Sequence, residues 1–81
     1  MHSQYEVKMR QPRIAMIADR LTALLPEDGL TVPPHDVKAH LMYEDCTITE
    51  REFEGAVALA AARRQITRAF GGAVIASSNM P

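Results

Sequence analysis

The sequence predicts a small α+β domain, three helices followed by a C-terminal β-hairpin. Three observations predict it. Aliphatic residues recur at helical spacing through residues 12–25. A Thr-x-x-Glu start at Thr49 opens an alanine-rich run, Gly55-Ala56-Val57-Ala58-Leu59-Ala60-Ala61-Ala62. Two short apolar-polar segments then flank Gly71-Gly72.

Eighty-one residues allow one domain and one core. Only two Tyr and two Phe stand among the hydrophobic residues, so much of the core is built from alanine and its elements must approach closely. The lone Cys46 permits no internal disulfide and fits a reducing compartment. No apolar run reaches the roughly 18 residues of a membrane span, and no signal-peptide layout opens the chain. The expected address is cytoplasmic.

Residues 1–11 are polar, with Tyr5, Val7 and Met9 alternating against Glu6 and Lys8. They read either as a short strand or as a frayed tail. Residues 12–25 form the first predicted helix. Ile14, Ile17, Ala18, Leu21, Leu24 and Leu25 make one stripe. Pro12 suits its first turn and Pro26 stops it. Glu27-Asp28-Gly29 then turns the chain, and Leu30-Thr31-Val32 is extended, held so by Pro33.

Residues 34–44 form the second helix, with Val37 and Leu41 inward. A turn of about four residues leads to the third. There Thr49 and Glu52 form a capping box, and Ile48 packs on Phe53 as a hydrophobic staple. Glu50 and Glu52 suit the positive end of the helix dipole, and Arg63 and Arg64 the negative end. This helix ends between residues 62 and 66. Residues 65–70 alternate, with Ile66 and Phe70 on one face and Arg68 between them. Gly71-Gly72 is a two-residue hairpin turn, and Val74-Ile75 return. Residues 77–81 read as a disordered tail. The expected core is Ile14, Ile17, Leu21, Leu24, Val37, Leu41, Ile48, Phe53, Val57, Ile66, Phe70 and Val74.

Charge is distributed unevenly. Residues 1–20 carry four cations against two acids, and residues 21–54 carry two cations against eight acids. Residues 55–81 carry Arg63, Arg64 and Arg68 with no acid. An acid-free cationic end suits phosphate, although helix-end charge explains the same arginines. The acidic region, Glu27, Asp28, Asp36, Glu44 and Asp45, suits a basic protein partner.

Helix, extended piece, helix, turn, helix and hairpin is the element order of winged helix-turn-helix domains. The chain resembles that superfamily over residues 12–76. The stretches that carry the resemblance are Val37-Lys38-Ala39-His40-Leu41, Thr49-Glu50-Arg51-Glu52-Phe53, and Arg64-Gln65-Ile66 leading into Gly71-Gly72. It is a likeness of architecture, with no narrower family behind it. The resemblance implies a winged helix that binds double-stranded DNA as a transcription regulator does, with the third helix in the major groove and the hairpin along the backbone or minor groove. Carried over by residue, Thr47, Thr49, Arg51 and Glu54 would lie near base edges. Arg63, Arg64 and Arg68 would meet phosphates, helped by Arg10 or Arg13. The alternative is a protein-interaction or dimerisation module. It would use the alanine face at Gly55, Ala58 and Ala62, or the acidic region. The run 55–62 thus has three readings: core, subunit contact, or a face against DNA backbone.

Asp36, His40 and Glu44 share a helix face, but the spacing of zinc ligands is absent and Cys46 has no partner cysteine, so no metal or cofactor is expected. No Ser/His/Asp arrangement or phosphate-binding glycine loop is present, and the chain is not expected to be an enzyme.

Overall fold

A computed structural model describes residues 4–78, with side chains from residue 12 onward. Helix α1 spans Gln4–Leu24, α2 Pro34–Glu44 and α3 Glu50–Ala62. Strands β1, Ile66–Ala69, and β2, Val74–Ser77, follow and pair antiparallel. The chain is therefore a small α+β domain with a winged-helix-like arrangement of three helices and a hairpin.

α1 is longer than its apolar stripe predicts. It begins at Gln4 and runs through Pro12, which lies inside the helix and not in its first turn. Residues 4–11 are thus helical, neither strand nor tail, while residues 1–3 and 79–81 fall outside the described residues. Three alternating apolar residues are too few to specify a strand, and an existing helix gains one hydrogen bond for each residue it adds. Pro12 has no N–H for the carbonyl four residues earlier, so the helix loses one rung there.

After α1, Gly29 takes φ +79 and closes a turn on the Pro26 carbonyl. Asp28 Oδ1 accepts from the Leu30 N–H at 3.2 Å. Val32 then exchanges two 2.8 Å backbone hydrogen bonds with Ile75, which adds a single bridging residue beside β2. Pro33, at φ −66 and ψ 136, keeps this segment extended up to the first residue of α2.

The core is sealed by Ile17, Leu21, Leu41, Ile66 and Ile75, all fully buried. Burying one such side chain stabilises the fold by about 1.5–3 kcal/mol. α1 and α3 share the largest contact between elements. Ala18, Ala56 and Ala60 have no exposed surface, so small side chains let these helices come close. Gly55 is half-buried, and a Cβ there would sit 3.6 Å from Ile14 Cδ1. The alanine-rich run is therefore mainly core. Gly55 belongs to the α1 contact and not to a free face, while Ala58 and Ala62 are exposed.

Four core expectations shift. Leu24 keeps 38% of its surface exposed and Leu25 is buried in its place, because the chain leaves helical geometry after Leu24. Ile14 and Val74 are only half-buried. Phe70 is 84% exposed. The cause lies in the hairpin, whose register pairs Ile66 with Ser77, Thr67 with Ala76, Arg68 with Ile75 and Ala69 with Val74. The connection is therefore four residues, 70–73, and not two. Phe70, Gly71 and Gly72 all take positive φ, at 53, 66 and 91. That twist lifts Phe70 out of the strand, and Ile75 fills the core position instead.

Candidate nucleic-acid interface

The start of α3 is built from local and distant contacts together. Thr49 Oγ1 accepts from the Glu52 N–H at 3.1 Å, and Glu52 Oε1 accepts from the Thr49 N–H at 3.0 Å. Ile48 and Phe53, either side of the cap, are both buried in the common core. Across from α1, Arg13 donates through Nε to Glu52 Oε2 and through Nη2 to Thr47 Oγ1 at 2.9 Å. Thr47 in turn donates to Asp45 Oδ1 from its hydroxyl at 2.5 Å and its N–H at 3.0 Å. This network fixes the α2–α3 turn against α1.

The same contacts set its electrostatics. The Arg13 hydrogen bond and the Thr49 N–H hold the Glu52 carboxyl below its ordinary range. The Thr47 hydroxyl and N–H do the same for Asp45. Bound to Glu52, the Arg13 guanidinium is pushed above its usual value. A carboxyl depressed in the fold stabilises it above the ordinary pKa and loses that contribution as pH falls through the folded value. Thermal stability should therefore decline below about pH 4.5, the ordinary value for Glu52. Glu52→Gln preserves the capping pattern but removes the charge. It should lower the melting temperature at pH 7 and flatten the acid decline. A melting curve as steep in acid as that of the unaltered chain would contradict this.

The outward face of α3 carries Arg51, Glu54, Ala58 and Ala62, all exposed and at spacings of three, four and four. On one flank, α3, the start of α2 and the hairpin enclose a shallow groove of about 370 Å³. Pro34, His35, Lys38, Glu50, Phe53, Glu54, Gly72 and Ala73 line it. It continues past Val57 to Arg68 and Ile75. Lys38 Nζ lies 3.0 Å from Glu50 Oε1, an ion pair across the groove that local sequence patterns do not signal.

The candidate residues separate into groups. Thr47 and Thr49 have their hydroxyls engaged, in the turn network and the cap. The Arg13 guanidinium holds Glu52 and Thr47. The Arg10 side chain lies outside the described residues. Arg51, Arg64 and Arg68 are exposed and have no hydrogen-bond or ion-pair partner among the described residues. Arg63 Nη1 lies 4.0 Å from Asp19 Oδ1, a weak surface pair. Arg63 and Arg64 follow the last turn of α3, about 18 Å along the axis from Arg51 at 1.5 Å per residue. They form one end of the surface and do not converge on Arg51.

Arg64 ends α3 in an unusual way. Its φ is +60, its N–H bonds the Ala61 carbonyl at 3.0 Å, and the Gln65 N–H bonds the Ala60 carbonyl at 2.9 Å. That is a Schellman closure, in which glycine is the favoured residue. An L-residue there costs about 1–2 kcal/mol. Arg64→Gly should therefore raise stability by about 1 kcal/mol, a gain of roughly 4–8 °C in melting temperature for a domain of this size. An unchanged or lower melting temperature would refute the strain at this position.

The histidines pair locally. His40 Nε2 lies 2.8 Å from Glu44 Oε1, and His35 Nε2 lies 3.2 Å from Asp36 Oδ1, all exposed. Among the described residues no three His, Cys, Asp or Glu side chains converge as a metal site. No helix there is long and apolar enough to cross a membrane. Phe70 is the exposed residue of this surface that periodicity misses, because alternation from Ile66 assigns it to the core. Its place immediately before Gly71-Gly72, at the turn, is the signal that marks it otherwise.

Against this geometry, no known protein family, no curated protein and no solved structure gives a significant match to the chain.

Proposed function

We propose that the chain is a non-catalytic winged-helix protein of transcription-regulator type that binds double-stranded DNA. The observation that carries the reading is the internal neutralisation of the carboxylates around Arg51. Glu52 is held by Arg13 and Glu50 by Lys38, so two of the three acids that would repel phosphate are already paired. Arg51 on α3, Arg64 at its end and Arg68 on the hairpin have no ion-pair partner among the described residues. In this reading the outward face of α3 enters the major groove and Arg51 addresses guanine O6 and N7. Ala58 and Ala62 let the helix approach the backbone closely. Arg64 and Arg68 hold phosphates on either side.

The test is an anisotropy titration of a labelled random duplex at rising salt. Two phosphate contacts, from Arg64 and Arg68, give a slope near −1.8 in log affinity against log salt, at about −0.9 per contact. Absence of binding at low salt rejects the proposal.

A second reading, a homodimer through the α3 face, is favoured by one observation. Ala58 and Ala62 are exposed four residues apart, where another helix could come close. Light scattering separates the two: a monomer at high concentration removes the dimer, and a dimer that ignores DNA favours it.

A further inference from the structure

Phe70 occupies a conformation and a position that burial does not explain. It is 84% exposed and takes φ +53, which L-residues disfavour, beside two glycines that adopt positive φ freely. Strained, exposed side chains of this kind concentrate at functional sites. The segment 55–78 around it contains three arginines and no acid. Arg68, two residues before Phe70, is exposed on β1 and without a partner among the described residues. The molecule thus presents an apolar tip on a ribbon whose one charged residue is Arg68. The matching surface is one with negative charge outside and stacked apolar faces within, which is a nucleic-acid duplex. Phe70 stands in the four-residue connection at the ribbon's tip, so a single ring and not the whole ribbon has to enter the minor groove of roughly 6 Å. A lipid surface suits it less, since Gly71, Gly72 and Ala73 supply no second large apolar group.

We propose that Phe70 is a wedge that enters a base step of bound duplex DNA from the minor groove and partly unstacks it. The proposal rests on the DNA-binding reading above. Arg68 anchors the adjoining phosphate, and pyrimidine–purine steps, the most easily unstacked, are the preferred targets.

The experiment uses the full chain and a duplex carrying 2-aminopurine within TA and CA steps, with anisotropy and base fluorescence read in one titration. The expected result is a fluorescence rise on binding. Phe70→Ala should lose the rise and weaken binding by roughly 5- to 150-fold, the range of one stacking contact, and Phe70→Trp should retain it. Binding without a rise in the unaltered chain overturns the wedge and leaves the DNA reading intact. A rise that survives Phe70→Ala does the same. No anisotropy change at low salt overturns both.

Discussion

Phe53→Ala is expected to cost about 3–5 kcal/mol and to leave much of the chain unfolded at 37 °C. Phe53 is 4% exposed and sits one turn inside α3, in the same cluster as Ile48, Val57 and Leu41. Removing its ring empties the space where the α2–α3 turn, α3 and the groove floor meet. A domain of this length has a total stability of about 4–12 kcal/mol at roughly 0.05–0.15 kcal/mol per residue, so one cavity can remove most of it. Leu24→Ala is the matched control, because Leu24 is 38% exposed and its loss leaves no cavity. Urea denaturation followed by circular dichroism measures both. Equal shifts in midpoint would show that Phe53 does not hold the core together.

Arg51→Glu combined with Arg68→Glu is expected to weaken duplex binding on the order of 100-fold at low salt. It should also reduce the salt slope by about 0.9, for the one phosphate contact that Arg68 supplies. Both arginines are exposed and unpaired among the described residues, so their reversal breaks no internal contact. The melting temperature should therefore stay within a few degrees. If Arg51 reads a base, its single reversal flattens discrimination between sites more than it changes the salt slope. Unchanged affinity in the double variant would move the binding surface away from α3 and the hairpin. Arg64→Gly provides a contrast, because the fold gains stability while binding loses a phosphate contact.

The parts legible in the sequence are those whose cause is local. Thr49 and Glu52 are three residues apart and must satisfy N–H groups within their own turn, so the capping box was readable and is present. Pro33 and Pro34 set the start of α2 in the same way. Periodicity blurred where the chain leaves a regular element. Leu24 and Leu25 both match the α1 stripe, and only the exit from the helix decides which is buried. Alternation from Ile66 sent Phe70 inward because φ at the residue before a glycine pair is invisible to a period of two. The paired charges were the least legible. Arg13 and Glu52 are 39 residues apart, and Lys38 and Glu50 are 12 apart. Read as sequence, Glu50, Glu52 and Glu54 are three acids around one arginine; in the fold only Glu54 is without a cation among the described residues.

The bridge between Val32 and Ile75 governs how the ribbon is mounted. Two hydrogen bonds at one residue join it to the segment before α2, and Pro34, two residues on and the next that would face β2, has no N–H with which to lengthen the ladder. A strand hung on one rung cannot creep along its neighbour without giving up the whole attachment. Ile66 and Ile75, both fully buried, root the ribbon's base in the core, so the rung and the packing together fix where the ribbon stands.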